Sequence, residues 1–296
     1  MGAPKLMPLA QATEDSRTLV LVKGFLSRNE TAEEHHEEWV AGLREASWKG
    51  EIYLFSWDAS TEAELRGDMV FNGIVGGLAG FGIATAARTG LKYVLPRVIP
   101  GPWTLSSWAM TGAQLVSAAV ALRMGTSHGA RQRWNAVRDR SEKIGREDLF
   151  PAIRQAGIDT VTLVGHSLGA RLIDSALRSG DQSGVTVEDT LYFGGALARD
   201  DEEAWRQAAV AITGTLLNVY YSNDDVLRRW YEAVEDHVPC GRGAVEAEIP
   251  NLLNVSADSH FAPTDHGHYH YRKHIRSLLA DFDWMDENSP SLRDSG

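Results

Sequence analysis

The sequence contains one serine whose neighbours are typical of an activated nucleophile. Residues 165–169 read Gly-His-Ser-Leu-Gly, after the apolar run 160–164 and before a helical pattern that begins near Ala170. In a turn from strand to helix the serine hydroxyl projects above the sheet, and glycines are needed because neighbouring side chains would collide. The motif therefore predicts that Ser167 attacks an acyl carbonyl. The alternative is a plain turn with a solvated serine.

Two backbone N–H groups are candidates to hold the oxyanion that this attack would produce. The N–H of Leu168 lies at the start of the helix after the serine, where amides point at developing negative charge. The second donor is expected in the loop after an early strand. Gly24 follows the apolar run 18–22 closely, so we expect the N–H of Phe25 to be this donor. Gly24 would allow the chain to approach, and a simple turn glycine is the alternative.

An acid and a base are expected after the nucleophile, in that chain order. The apolar run 216–221 is followed by Asp224 and Asp225, at the end of a strand, where open α/β sheets place their sites. Spacing alone does not separate these two aspartates, and an ordinary turn or N-cap is the alternative role. A Gly-His loop immediately before the final helix favours His268 as the base. The late histidines are His260, His266, His268, His270 and His274.

Three of these histidines raise the question of a metal. His266, His268 and His270 would share one face of an extended segment, as metal ligands can. Neither a cluster of carboxylates nor a second cysteine accompanies them in the sequence. We therefore expect no catalytic metal, and the serine mechanism needs no cofactor.

Strands and helices alternate along the chain around these motifs. Apolar runs predict strands at 18–22, 52–57, 160–165, 190–193 and 216–221. Helical spacing of apolar residues is found at 30–46, 149–153, 170–177 and 271–282. The alternation predicts an α/β fold, with a mostly parallel sheet and helices on both faces.

One region interrupts this alternation. Residues 69–87 and 104–122 carry no charged side chain, and Gly73 and Gly77 have the small-xxx-small spacing of helices that pack closely in lipid. Membrane contact through 69–122 is one interpretation, and a buried cap is the other. We expect a single domain over residues 1–296, with 64–124 as an apolar, Gly/Ala-rich helical insertion.

Composition limits the class of protein. The 296 residues include 29 Lys and Arg against 40 Asp and Glu, a net charge of −11, which argues against a nucleic-acid partner. The hydrophobic fraction of 43% is typical of a folded chain. The single cysteine, Cys240, excludes an intrachain disulfide and is compatible with a reducing compartment. Residues 1–15 lack the apolar core of a signal peptide, so we expect a cytoplasmic or membrane-associated protein.

Together these motifs resemble the TMCO-type (transmembrane and coiled-coil domain protein) lipase family of α/β-hydrolases. The residues that carry the resemblance are GFLS, IYLFSWD, GHSLGARLIDSAL, LYFGGA, GTLLNVYYSNDDVL and GHYHY. The resemblance implies an α/β-hydrolase fold. It also implies Asp224 as the acid, by its offset from an Asn-x-Tyr strand, and His268 as the base, followed by Tyr271.

The combined prediction is a serine esterase or lipase. Ser167 would attack the ester, His268 would carry the proton and Asp224 would orient the imidazole. The expected substrate is a lipid ester or a small ester. A thioesterase or amidase with the same triad is an alternative, as is a toxin-like lipase delivered by a secretion machine. A non-catalytic membrane-associated or trafficking scaffold that keeps the fold is the alternative outside enzymes.

Overall fold

The computed structural model describes residues 4–14, 16–22, 24, 32–58, 127–261 and 268–279. The strands are Lys5–Ala10 (β1), Thr18–Val22 (β2), Glu51–Ser56 (β3), Thr160–His166 (β4), Thr186–Phe193 (β5), Leu216–Tyr220 (β6) and Leu252–Ser256 (β7). The helices are Ala32–Glu45 (α1), Ser127–Ile144 (α2), Phe150–Gln155 (α3), Leu168–Arg178 (α4), Glu202–Val210 (α5), Asp225–Leu227 (α6), Ala233–Glu235 (α7) and His268–Leu278 (α8). Two π-helical segments, Gly145–Leu149 and Arg228–Glu232, join α2 to α3 and α6 to α7, and a 3₁₀ turn spans Cys240–Arg242.

In the described part of the chain, the strands form one sheet in the order β1-β3-β2-β4-β5-β6-β7. β1 runs antiparallel to β3, and every other neighbouring pair is parallel. The predicted mostly parallel α/β sheet is therefore confirmed. Since the carboxyl ends of parallel strands meet at one edge of a sheet, the loops after β2, β4 and β6 lie on the same edge.

The central strands read as continuous apolar runs because both of their faces are covered. All five residues of β2 are buried, and β4 is buried from Val161 to His166. The strands predicted at 18–22, 52–57, 160–165 and 216–221 are each present within one residue at either end. β5 begins at Thr186, four residues before the predicted start at residue 190. The prediction missed its first half because Glu188 and Asp189 interrupt the apolar pattern there.

The two edge strands were not predicted from the sequence. β1 contains Pro8, which pairs with Tyr53 of β3, and proline within a strand is tolerated at an edge. In β7 only Leu252 is buried, and Leu253 is 41% exposed. Neither segment shows the alternating or continuous apolar pattern of a strand that is covered by neighbours, which is why composition alone did not reveal them.

The last helix packs closely against the first. A Cβ atom at Gly42 of α1 would lie 2.6 Å from Cγ2 of Ile275 and 2.9 Å from the Arg272 carbonyl oxygen, both on α8. Leu43 and Leu278 are buried in the same apolar cluster. The glycine therefore allows the close approach that fixes the position of α8 on this side of the sheet.

The chain divides into two compact units, one of Met1–Ala59 and Val137–Gly296 and one of Ser60–Ala136. The sheet belongs to the first. The predicted insertion at 64–124, with its possible membrane surface at 69–122, lies outside the described residues. None of the helices in the described ranges is both long enough and apolar enough to cross a membrane.

Candidate active site

Ser167 lies in the tight turn between β4 and α4. Its backbone has φ 55° and ψ −119°, a conformation that costs of order 1–3 kcal/mol for a residue with a side chain. Hydrogen bonds hold it there. The Ser167 N–H donates to the Phe193 carbonyl at 3.1 Å, and the Ser167 carbonyl accepts from the N–H groups of Ala170 at 3.1 Å and Ala196 at 3.2 Å. The predicted strand-to-helix turn is confirmed, and the role of Ser167 as a nucleophile stays a prediction.

The glycines around the turn are required by close backbone contacts. A Cβ atom at Gly165 would lie 2.7 Å from the backbone nitrogen of Ala170. A Cβ atom at Gly24 would lie 2.7 Å from the His166 carbonyl oxygen and 3.0 Å from the Cβ of Ser167. Gly24 therefore lies directly against the serine. Ser167 stays partly exposed, while the residue on either side of it is buried.

Of the two predicted oxyanion donors, the structure describes Leu168 but not Phe25. Leu168 is the first residue of α4 and is fully buried. The first N–H groups of a helix have no partner within the helix and carry a partial positive charge, so this end suits an anion. Phe25 lies outside the described residues, although Gly24 before it is at the serine. The donor role of each N–H stays a prediction.

A buried arginine on α4 supports the turn. The Arg171 side chain is 10% exposed, and its Nε donates to the Ala196 carbonyl at 2.8 Å. Its Nη1 pairs with Glu142 at 2.9 Å, and its Nη2 lies 3.4 Å from the Tyr231 hydroxyl. The N–H of Ala196 donates to the Ser167 carbonyl, so Arg171 links the strained turn, through Ala196, to Glu142 on α2.

The two aspartates after β6 occupy different environments. Asp224 is fully buried at the start of α6, and its Oδ1 accepts a hydrogen bond from the Leu227 N–H at 2.8 Å. The Asp225 side chain is 34% exposed and pairs with Arg228. Spacing alone left these two residues equivalent, and the family resemblance implied Asp224. Asp224 takes the N-cap position of α6, and burial holds its carboxylate in a fixed orientation, whereas its role as the acid stays a prediction.

Tyr271 joins α8 to this region. Its side chain is buried, with ring centroids 5.8 Å from His166 and 5.7 Å from Phe193. Burial raises the pKa of Tyr271, and the charge of Asp224 adds to this rise. His268 is the first residue of α8, one helical turn before Tyr271, and its side chain is outside the described part of the structure. Its role as the base stays a prediction.

The other late histidines surround Phe261. The rings of His260 and His274 lie 5.7 Å apart, and Phe261 lies 5.7 Å from His274 and 6.0 Å from His270. His266, and with it the possible three-histidine face, is outside the described residues. Within the described ranges, no group of three or more His, Cys, Asp or Glu side chains is placed to hold a metal ion.

Two glycines of the LYFGGA motif, to which no role was assigned from the sequence, shape the loop after β5. Gly194 has φ 56°, and a Cβ there would lie 3.0 Å from the Tyr271 hydroxyl. A Cβ at Gly195 would lie 2.7 Å from Sγ of Cys240. Cys240 is fully buried, and burial raises its thiol pKa. A glycine pair directly after an apolar run is a turn signal, so the pattern could have indicated this loop.

Asp174 on α4 makes the stability of the fold depend on pH. Its side chain is 3% exposed, and burial raises its pKa to about 6 despite a 2.7 Å ion pair with Arg178. In an unfolded chain this carboxyl titrates near about 3.9. The folded state therefore binds the proton more tightly. The contribution of Asp174 to the unfolding free energy is highest below about pH 4 and falls by about 3 kcal/mol as pH rises through about 6.

We expect Asp174→Asn to remove this pH dependence, because asparagine does not titrate. Relative to the unsubstituted protein, the variant should gain up to about 3 kcal/mol of unfolding free energy between about pH 4 and pH 7. Urea unfolding of both proteins at a series of pH values measures the difference. Two stability curves that stay parallel over this range would contradict the assignment.

Comparison with known proteins places these features in a wider group. The family model described as protein of unknown function (DUF726) matches residues 6–285. An uncharacterized membrane protein of Schizosaccharomyces pombe is 29% identical over 160 residues, which are 52% of this chain and 20% of that protein. The transmembrane and coiled-coil domain-containing protein STS1 of Oryza sativa is 31% identical over 131 residues, 42% of this chain and 19% of that protein.

A protein of Saccharomyces cerevisiae with the name probable lipase MIL1 is 28% identical over 151 residues, 49% of this chain and 14% of that protein. The chain thus spans a fifth or less of the length of each of these relatives. Among solved structures, the carboxylesterase CesB from Bacillus subtilis is similar with a TM-score of 0.37 and 10% identity, over 94% of this chain and 87% of that one.

Proposed function

The chain belongs to the family described as protein of unknown function (DUF726), and from this membership and the geometry around Ser167 we propose that it is a serine hydrolase that cleaves carboxylic esters. The observation that carries the proposal is the strained, partly exposed Ser167 at the carboxyl end of β4, with Gly24 directly against it. Strain of this kind persists where a fixed side-chain position is needed, and it clusters at active sites. The fold we assign is accordingly that of the α/β-hydrolases.

The proposed reaction has two steps. Ser167 Oγ attacks the ester carbonyl carbon while His268 takes the hydroxyl proton, and the collapse of the tetrahedral intermediate releases the alcohol, which receives that proton. Water then attacks the acyl-enzyme, gives a proton to His268 and frees the acid, and the proton returns to Ser167. Asp224 orients the imidazole and stabilises its charged form, for which its buried and hydrogen-bonded position is suited.

Negative charge on the carbonyl oxygen needs donors that are in place before the reaction. The N–H of Leu168 at the start of α4 and the N–H of Phe25 after Gly24 are the proposed pair. Loss of one such donor typically costs about 10²–10³ in rate. The close approach of Gly24 to Ser167 supports this arrangement, because it brings the second loop to the same carbonyl.

We further propose a lipid ester as the substrate and a membrane surface as its source. Support comes from the uncharged segments 69–87 and 104–122 and from the similarity to a protein with the name probable lipase and to others named membrane proteins. In a chain that cleaves lipid esters, apolar segments of this kind would bind acyl chains or the lipid surface that holds them.

A fluorophosphonate probe tests the proposal, because it phosphonylates an activated serine without requiring the substrate to be known. We expect one adduct, on the peptide that contains Ser167, and faster labelling when phosphatidylcholine vesicles are present. Hydrolysis of a p-nitrophenyl ester, a thioester and an anilide then separates esterase from thioesterase and amidase. A folded chain that is not labelled under either condition would support the non-catalytic scaffold instead.

A further inference from the structure

The turn that carries the proposed acid is held from two sides at Ser222, which lies just before Asp224. The N–H and Oγ of Ser222 donate to Oδ1 of Asp258 at 2.8 and 2.9 Å. Its carbonyl oxygen accepts from both Nε and Nη2 of Arg242, at 3.2 and 2.8 Å. These contacts fix the backbone as it enters Asp224.

Arg242 also reaches the segment that follows the acid. Its Nη1 pairs with Glu232 in the π-helical segment after α6, and the two side chains are 17% and 26% exposed. One guanidinium thus bridges the chain on both sides of Asp224. A planar group with several donors in a fixed fork can make these contacts at once, whereas the point charge of a lysine cannot.

The 3₁₀ turn that contains Arg242 is hydrogen-bonded to the loop after β5, which also contacts the Ser167 turn. The N–H groups of Cys240 and Gly241 donate to the carbonyls of Leu197 and Gly195, at 2.7 and 2.9 Å. The Gly241 carbonyl accepts from the Tyr221 N–H at 2.9 Å. Arg242 therefore holds the acid turn relative to the loop after β5, which also hydrogen-bonds to the Ser167 turn.

We propose that Arg242 is a positioning residue for Asp224. It keeps the turn 221–224 in the place where the carboxylate can orient the base, and it acts through that turn rather than on the substrate. The inference rests on the proposed function, since a position for Asp224 matters to the rate only if Asp224 is the acid. Arg242 lies outside every motif that the sequence analysis singled out.

The test is a double-mutant cycle with p-nitrophenyl butyrate as substrate and the full chain as enzyme. We expect Arg242→Met to lower kcat by about 10- to 100-fold with KM unchanged, because displacement of a reacting group by about 1 Å has effects of this size. In the Asp224→Asn background the same change should lower kcat by less than about twofold, since no carboxylate remains to be positioned. Arg242→Lys should recover part of the loss.

Arg199→Met is the matched control. Arg199 lies near Gly243, the residue that follows Arg242 in the chain. Its side chain is 32% exposed and pairs with Glu246 at 2.9 Å. We expect this variant to keep its kcat. If Arg242→Met does not fold, as judged by circular dichroism, the cycle is run with Arg242→Lys, which should lower kcat in the Asp224 background and not in the Asp224→Asn background.

Equal losses of kcat from the Arg242 changes in both backgrounds would overturn the inference, because Arg242 would then support the fold in general. A loss that appears in KM alone would also overturn it. The wild-type chain and Ser167→Ala are measured in the same assay. Activity that is absent from the wild type, or that survives Ser167→Ala, would overturn the proposed function and this inference together, whereas the first two outcomes overturn the inference alone.

Discussion

Replacing Ser167 by alanine is expected to lower the rate of ester hydrolysis by about four to six orders of magnitude while the protein stays folded. The serine supplies the attacking oxygen, so no acyl-enzyme can form without it. The turn depends on backbone contacts of residue 167 with Phe193, Ala170 and Ala196, and alanine keeps all of them. Initial rates with p-nitrophenyl butyrate and urea unfolding of both proteins measure the two effects.

Ser175→Ala is the matched control for this prediction. Ser175 is buried on the same helix, and its hydroxyl has no hydrogen-bond partner in the described structure, so its removal should leave the rate unchanged. A third variant, Ser167→Gly, should be inactive yet more stable by about 1–2 kcal/mol, because glycine adopts φ 55° without strain. Turnover that survives in either Ser167 variant would exclude this serine as the nucleophile.

Asp224→Asn is expected to lower kcat by about 10⁴. An asparagine cannot stabilise an imidazolium, and it favours the wrong tautomer of the base. The fold should survive, because asparagine caps a helix as well as aspartate does and can still accept from the Leu227 N–H. Stopped assays over long times with the same ester measure the residual rate.

Asp225→Asn separates the acid from its neighbour. Asp225 is partly exposed and pairs with Arg228, and surface ion pairs contribute about 0–1 kcal/mol to stability. We expect the rate of this variant to stay within about threefold of the wild type. A large loss from Asp225→Asn with a small loss from Asp224→Asn would move the acid by one residue and contradict the assignment based on burial.

The parts of the fold that the sequence predicted are those with strong local patterns. β2 and β4 are covered on both faces, so their apolar runs are unbroken, and the glycines beside Ser167 mark the turn. β1 and β7 lie at the sheet edges, where a proline and exposed side chains are tolerated and the pattern is lost.

The sequence motifs predicted which residues form the candidate site, but not how those residues are buried or which side chains hold them in place. Spacing could not separate Asp224 from Asp225, and only the family resemblance implied Asp224, because the difference in burial between them belongs to the folded chain. Arg171 and Arg242 act through contacts with Ala196, Ser222 and Glu232. An arginine within a helix or a loop usually indicates a solvated surface, so residue type and spacing did not reveal the buried contacts of Arg171 or the partly buried contacts of Arg242.

The packing of α1 against α8 at Gly42 has a consequence for biosynthesis. The helix that begins at His268 reaches its place only after docking on a helix near the other end of the chain, so this contact forms across a very long closed loop. On the ribosome the sheet strands and the Ser167 turn emerge earlier than α8. Nascent and truncated chains would therefore lack both the proposed base and the apolar side chains of α8 that share a core cluster with Val164 and Phe193, and competence for hydrolysis would arise in one late folding step.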